Sequence, residues 1–320
     1  MSLDVWPAAS PADLKIRQAQ THDLELAWIV RETVEICRDL KHGLEDCYAL
    51  LAPIDPGSTL VMSTPRNEKV KGHITRVGTR IVKAVLHLQL RTIPSQTLSL
   101  SQSDPIHIQA LDALHTNLNQ CIDLLSLTIS RPQDSRSLAS TLSILSEALA
   151  DSAALLKGAP LTESDPAWQT CSSAPQHFAP PLDPSISFHI TLQDSCVVLY
   201  LRALEPASAP VHFGTKLGLA LGTVRRLEHD EMDKVFGYSP RLNDGTDSRK
   251  GSARHTPEPR PGTAGGDGLQ SREVYVREKV RVESADPSLI SLYSKLGYLS
   301  HKLGQTRGNL AAVMGVELDY

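Results

Sequence analysis

The stretch DPSLISLYSKLGYLSHKLGQTRGNLAAV, residues 286–313, decides the fold class of this protein. Its apolar residues recur in alternating steps of three and four, which places their side chains along one face of an α-helix. The stripe consists of Leu289, Leu292, Leu296, Leu299, Leu303, Thr306, Leu310 and Val313. Because so narrow a stripe must be covered by another helix, the stretch predicts a helical bundle with coiled-coil-like heptad seams.

Three further segments of the chain have the same helical period. The first covers residues 14–51, and its stripe breaks at Lys41, where Leu40 stands beside the seam. The second opens at Asp104, a cap residue followed by proline, and the third is stopped by Gly158. In these three segments the predicted heptad core lies at Leu26, Val30, Val34, Leu111, Leu118, Ile122, Leu125, Leu138, Leu142, Leu145 and Leu149. We interpret the stripes as an internal core, with a seam left open for a partner helix as the functional alternative.

Between the helical segments the apolar period changes to two, which is typical of β-strands. Within residues 273–283 the sequence Arg277-Glu278-Lys279 interrupts the alternation, so we expect the strand register to slip there. The four strand-like stretches are residues 69–90, 185–204, 217–227 and 273–283. They predict a modest antiparallel sheet, and the whole pattern predicts an elongated α+β protein with a helical bundle and a smaller β domain.

The predicted domain boundaries follow from these elements and from two stretches that we expect to be unstructured. Residues 161–182 are rich in proline, serine and acid, and residues 239–272 have almost no large apolar side chain to offset the entropy of ordering. The prediction is a discontinuous helical domain, a β domain and a disordered insertion. They comprise, respectively, residues 12–56, 104–158 and 285–316; residues 57–103 and 175–284; and residues 239–272.

The totals exclude several classes of function. The net charge is −4 and the pI is about 6.3, so the chain as a whole has no strong positive field to attract nucleic acid or an anionic membrane. Its five cysteines include no CxxC pair and predict a reducing compartment. We find no secretory signal, no lipidation motif and no apolar run near the roughly 18 residues of a membrane-spanning helix. We therefore expect a cytoplasmic protein without direct membrane insertion.

No pattern of catalytic or metal-binding residues is found along the chain. The glycine-rich run at residues 262–268 has neither a preceding strand nor the following lysine of a phosphate-binding loop. The histidines form no HExxH motif and no cluster with cysteines. We predict a protein that is not an enzyme and uses no cofactor and no metal, and we assign no catalytic or partner-binding residue.

Several short blocks of the sequence resemble the Rogdi family. They are LAWIV at residues 26–30, VKGHIT at 70–75, HFAPPL at 177–182 and LYLRALEP at 199–206, and the heptad-rich C-terminal helix is also similar. The resemblance implies an α domain, in which the first helix, a central helical hairpin and the last helix pack together, beside a β domain. The long polar insertion suggests a fungal-type member.

The resemblance also implies a function and partners. Fungal members are the smaller subunit of the RAVE complex, which promotes reassociation of the peripheral and membrane sectors of the vacuolar proton ATPase. The implied direct partner is a large β-propeller scaffold subunit related to rabconnectin, and contact with the peripheral ATPase sector is expected through the complex. We expect a monomer on its own, located in the cytoplasm and recruited peripherally to vacuolar or endosomal membranes.

Two other interpretations of the same sequence remain open. In the first, the heptad seams are intermolecular and the protein is a coiled-coil tether or a self-assembling structural adaptor unrelated to the ATPase. In the second, distant residues assemble a dispersed hydrolase site. The mass in solution distinguishes the tether from the assembly factor. The assembly-factor hypothesis expects a monomer that forms a stable complex with the scaffold, whereas intermolecular seams predict a larger assembly.

Overall fold

A computed structural model of the protein describes residues 10–54, 56–131, 134–159, 166–208, 234–240 and 271–316. It confirms the predicted α+β class, with long helices and antiparallel sheets. The chain divides into two compact units. We call residues 1–52, 110–157 and 287–320 the helical unit, and residues 53–109 and 158–286 the β unit.

Long helices build the helical unit. They are α1 (Pro11–Ala49), α2 (Gln109–Ser130), α3 (Ser135–Lys157) and α5 (Pro287–Met314), while the short α4 (Trp168–Cys171) lies in the β unit. Helix α5 packs against both α1 and α3. The ring of Tyr48 on α1 lies 4.6 Å from the ring of His115 on α2, measured between centroids. The core of this unit consists largely of leucines on the facing sides of these helices.

Polar caps set the ends of the helices. The Ser10 hydroxyl accepts a hydrogen bond from the Asp13 backbone N–H at 3.1 Å, and Pro11 follows at the first helical position. The Asp134 carboxylate accepts from the Arg136 and Ser137 backbone N–H groups at 2.6 and 3.3 Å, which caps α3. After α3, Gly158 adopts a φ of 70°, the left-handed conformation that ends many helices.

The predicted start of the second helix at Asp104 is wrong. Ile106–His107 forms the short strand β5, and α2 begins only at Gln109. In this strand Ile106 pairs with Ile81 and is 6% exposed. The Asp-Pro pair therefore precedes an extended segment, because tertiary pairing of the isoleucine outweighs the local capping signal.

The first sheet of the β unit has the strand order β1–β2–β3–β4, with β5 pairing to β3. Its strands are β1 (Ser58–Ser63), β2 (Val70–Val77), β3 (Arg80–Leu88), β4 (Gln96–Ser99) and β5, and all described pairings are antiparallel. Met62, Ile74 and Leu86 are fully buried on one face of this sheet. Strands β1 and β4 were not predicted from the sequence.

The second sheet has the strand order β6–β7–β9–β8. Its strands are β6 (Ile186–Gln193), β7 (Cys196–Pro206), β8 (Val235–Tyr238) and β9 (Arg272–Ala285). Asp194 and Ser195, at φ 47° and 61°, make the tight turn between β6 and β7. Along β7 and β9 the pairing passes from Ala203–Glu278 to Leu204–Val276, which confirms the register slip expected at Arg277.

Part of the stretch 161–182 is ordered, against expectation. Trp168 on α4 is 2% exposed and belongs to an apolar cluster with Leu204, Tyr238, Val274 and Val276. Further along, Phe178 and Leu182 are buried too, and short 3-10 turns lie at Pro65–Asn67 and Pro175–His177. The few aromatic residues of this proline-rich stretch supply the burial that its overall composition does not suggest. The predicted strand at 217–227 and residues 241–270 of the predicted insertion lie outside the described residues.

By length and composition alone, α3 could cross a membrane, since an 18-residue window reaches a mean hydropathy of 1.2. From the sequence we expected no apolar run of membrane-spanning length. A core helix of a bundle passes the same test. Leu138, Leu142, Leu145 and Leu149 of α3 are all buried in the helical unit.

Two glycine-to-alanine substitutions should have opposite effects on stability. A Cβ atom at Gly72 in β2 would lie 2.0 Å from the Val85 carbonyl oxygen of the neighbouring strand. We expect Gly72→Ala to lower the free energy of unfolding by about 1–3 kcal/mol, the usual range for overpacking. Nothing lies within 4 Å of a Cβ atom at Gly304 in α5. Gly304→Ala should therefore raise the free energy of unfolding by about 1 kcal/mol, because alanine has the higher helix propensity.

Urea denaturation followed by circular dichroism measures both changes, and each variant serves as the control for the other. A neutral Gly72→Ala variant would contradict the close approach of β2 and β3. A destabilised Gly304→Ala variant would mean that another chain already covers this face of α5.

Candidate interaction surfaces

An antiparallel seam joins α1 and α5 in the helical unit. The Lys295 ammonium lies 3.1 Å from the Asp46 carboxylate, and the Lys302 ammonium lies 2.9 Å from the Asp39 carboxylate. Between these ion pairs, the Leu299 side chain sits directly against Gly43, where a Cβ atom would approach it to 2.5 Å. The bundle therefore covers much of the leucine stripe of α5 within one chain.

The structure buries most of the predicted heptad residues and leaves four of them half-buried at the edge of the helical core. Buried are Leu111, Leu118, Leu125, Leu138, Leu142, Leu145, Leu149, Leu289, Leu292, Leu296, Leu299, Leu303 and Leu310. Half-buried are Leu26, Val30, Val34 and Ile122. Three of the four lie on α1, so the correction concerns the register of that helix, whereas on α2 only Ile122 is displaced, by the buried Cys121.

In α1 the first part of the buried stripe runs one position away from the predicted one, whereas the predicted Cys37 and Leu44 are buried. The members of the buried stripe are Ile29, Thr33, Cys37, Leu40, Leu44 and Cys47. Leu40 is 1% exposed and belongs to the seam, so the predicted break at Lys41 does not occur. The preference for large apolar residues selected Val34 over Thr33. A strict heptad count through Cys37 and Leu44 reaches Thr33, Leu40 and Cys47, but it also selects Val30 where the structure buries Ile29.

Beyond the seam, the first part of α1 carries apolar side chains that the helical unit does not cover. Extending the antiparallel register of the two ion pairs places Met314, the last residue of α5, opposite Ala27. Every residue from 11 to 25 is exposed. At about 1.5 Å per residue, the part of α1 before Ala27 extends about 24 Å past the end of α5.

Leu14, Leu24 and Trp28 lie along one face of α1, at and beyond the end of its overlap with α5, and we call this face the exposed α1 stripe. The exposed Ile16 lies on the opposite face. Leu14, Leu24 and Trp28 are 56%, 72% and 55% exposed, and Thr21 continues the heptad spacing between them. At about 3.6 residues per turn, Leu14 and Trp28 are almost four whole turns apart and share a face. Exposed apolar stripes of this spacing are typical of helices that dock into a partner.

The buried cysteines of the helical unit have the chemistry of core residues. Burial raises the pKa of Cys37, Cys47 and Cys121 to about 11. At neutral pH these thiols stay protonated and are poor nucleophiles. Within the described part of the chain, no group of three or more histidine, cysteine, aspartate and glutamate side chains is placed to hold a metal ion.

Two comparisons with known proteins bear on these surfaces. A family model described as "Rogdi leucine zipper containing protein" matches residues 25–311. The match covers both sheets and the ion-paired part of the α1–α5 seam, but of the exposed α1 stripe it includes Trp28 and not Leu14 or Leu24. A search of curated proteins finds no significant match.

Proposed function

Because this chain belongs to the Rogdi leucine zipper family, we propose that it is a non-catalytic subunit of a RAVE-type complex that promotes assembly of the vacuolar proton ATPase. Membership itself indicates a role in protein–protein interaction, and the family is not a known enzyme family. The match over residues 25–311 is the observation that carries the proposal. The interaction requires a surface that the chain does not cover itself, and the exposed α1 stripe supplies one.

The proposed direct partner is a large β-propeller scaffold subunit, and we place its contact on the exposed α1 stripe. Leu24 and Trp28 lie four residues apart and present a leucine and an indole on adjacent turns. Aromatic anchors of this kind carry a large share of binding energy at interfaces. The extension is already helical, so docking would order few additional residues.

The proposed location is the cytoplasm, with peripheral recruitment to vacuolar or endosomal membranes. In this arrangement the scaffold brings the protein to the membrane sector, and the peripheral ATPase sector is contacted through the complex. The protein would hold the two bodies together during reassembly without inserting into the lipid.

We expect loss of the protein to slow recovery of acidification after a shift that triggers reassembly. The experiment removes the chromosomal copy and complements it with wild type, with Leu24→Ala/Trp28→Ala, or with the matched control Leu127→Ala/Tyr298→Ala. The control residues are 53% and 65% exposed and lie on α2 and α5. The measurements are vacuolar pH and the membrane-bound fraction of the peripheral sector.

Wild type and the control variant should restore both quantities, whereas the α1 variant should not restore them and should fail to copurify the propeller scaffold. Normal recovery without the protein would refute the assembly role. Full recovery with the α1 variant would refute the docking site while leaving the role intact.

The exposed α1 stripe also favours a second function, the self-assembling tether. That hypothesis expects light scattering to show a dimer or larger assembly of the purified protein, converted to monomer by Leu24→Ala/Trp28→Ala. A monomeric wild-type protein that binds the scaffold would exclude it.

A further inference from the structure

The first sheet of the β unit has a charge opposite in sign to that of the whole chain. Strands β1 to β5 contain no aspartate and no glutamate, although the chain has a net charge of −4. The same strands contain Lys71, Arg76, Arg80 and Lys83 as well as three histidines. Arg76 is buried in an ion pair with Asp286, and the two lysines are exposed.

Strand pairing aligns polar residues in a row across the open face of this sheet. Ser63 lies opposite Lys71, Lys71 lies opposite His87, and His87 lies opposite Thr97. Side chains directly opposite one another in neighbouring strands share a face. Lys71 and His87 are both exposed, so this row faces away from the buried residues of the sheet.

At the end of this row the surface forms a depression of about 450 Å³. Its walls carry an ammonium, an imidazole, hydroxyls and amides, but no carboxylate. The lining residues are Lys71, His87, Gln89, Ser95, Gln96 and Thr97. Cationic and neutral donors with no competing carboxylate suit an anion with several acceptor oxygens.

The imidazole of His87 and the hydroxyl of Thr97 form a pair that offers a donor in either tautomer. His87 Nδ1 lies 2.8 Å from Thr97 Oγ1. If the hydroxyl donates to Nδ1, the imidazole carries its proton on Nε2 and can donate from there. If Nδ1–H donates, the hydroxyl proton of Thr97 can be given to a ligand instead.

We propose that this depression binds a single phosphate monoester, carried by a phosphorylated serine or threonine of a partner protein. Such a group has a charge of about −1.5 to −2 at neutral pH and three strong acceptor oxygens. The Lys71 ammonium supplies the counter-charge, and the His87–Thr97 pair supplies a directional donor. This site does not depend on the ATPase role and lies in a different unit from the exposed α1 stripe.

The composition of the sheet favours a protein ligand over a nucleic acid or a membrane. Strands β1 to β4 contain no phenylalanine, tyrosine or tryptophan on which bases could stack. The exposed cations of these strands, Lys71, Arg80 and Lys83, are fewer than the four to eight of a typical lipid-binding cluster. Next to the row, Val61 is 65% exposed and pairs with His73, which provides an apolar contact for a side chain flanking the phosphorylated residue.

The test uses the full chain and fluorescent peptides that are degenerate around one phosphoserine or phosphothreonine. Anisotropy should show binding that is at least about tenfold stronger than for the unphosphorylated library, the equivalent of about 1.4 kcal/mol. Lys71→Gln and the nearly isosteric Thr97→Val should each weaken binding about tenfold, as expected for the loss of one hydrogen bond to a charged group. Lys15→Gln, an exposed lysine on α1, is the matched charge control and should bind as wild type does.

Equal affinity for phosphorylated and unphosphorylated peptides would overturn the proposal, as would phosphate-dependent binding that Lys71→Gln leaves unchanged. Vesicles containing a phosphoinositide test the alternative that the depression binds a lipid headgroup. Binding to them without binding to the phosphopeptides would assign the surface to a membrane instead. Thermal unfolding of each variant checks the fold, and we expect the midpoint of Lys71→Gln to match that of wild type because the side chain is exposed.

Discussion

Replacing Leu142 or Leu296 with alanine should lower the free energy of unfolding of the helical unit by about 2–5 kcal/mol. Both leucines have 0% exposed surface, one on α3 and the other on α5. Each substitution removes three carbon atoms from a packed interior, so the loss combines a transfer free energy with a cavity. Urea denaturation monitored by circular dichroism at the helical band measures the change.

Leu24→Ala is the matched control for these two variants. It removes the same atoms from a side chain that is 72% exposed, so we expect a change within about 0.5 kcal/mol. A loss below about 0.5 kcal/mol for Leu296→Ala would show that the stripe of α5 is not covered within one chain and awaits a partner helix.

Replacing Arg76 with methionine should destabilise the β unit by about 3–5 kcal/mol. Arg76 Nε donates to Asp286 Oδ2 at 2.6 Å, and the two side chains are 3% and 0% exposed. The guanidinium also donates to the Gly78 carbonyl oxygen. Methionine fills similar space, but it removes the counter-charge from a carboxylate that water does not reach.

A double variant separates the loss of the ion pair from the cost of leaving the Asp286 carboxylate buried without Arg76. Arg76→Met/Asp286→Leu should be more stable than Arg76→Met alone, because no buried carboxylate remains. Lys302→Met, which removes the partially exposed ion pair with Asp39, should change stability by less than about 1 kcal/mol. An Arg76→Met variant that behaves like Lys302→Met in the same urea titration would contradict the buried pair.

Local sequence patterns predicted the elements whose signals are local. The leucine period of residues 286–313 and the alternation around Gly78 depend on side-chain spacing within one segment. The structure accordingly has a helix at Pro287–Met314 and a hairpin of β2 and β3. The interruption at Arg277 also marked the register shift in β9, because a run of charged residues breaks the alternation wherever the strand pairs.

Elements stabilised by distant partners were predicted less well. Ile106 follows a good helix-capping pair, but it pairs with Ile81 in a strand. Trp168 lies in a proline-rich stretch, but it stacks near Tyr238, with 5.9 Å between the ring centroids. In both cases the deciding contact comes from a residue far along the chain, which no local window contains.

The two candidate surfaces differ in how far the sequence reveals them. The absence of acidic residues from β1 to β5 can be read from the amino-acid sequence once the strand bounds are known. The exposed α1 stripe is not visible in this way, because Leu24 and Trp28 have the same apolar character as buried residues. Leu24 is uncovered because α1 is longer than α5, and Trp28 is uncovered because it lies on the side of α1 away from the buried stripe.

By itself, the sequence determined the spacing of the apolar residues, which indicates the helical and the extended segments. It also determined which family the short blocks resemble. Periodicity follows from backbone geometry, which repeats within a few residues and needs no partner. The tertiary structure alone decided which face of α1 is buried, where α2 begins, and that His87 and Thr97 lie 2.8 Å apart. Those outcomes depend on free energies of packing between segments far apart in the chain, and such energies exist only when the partner is in place.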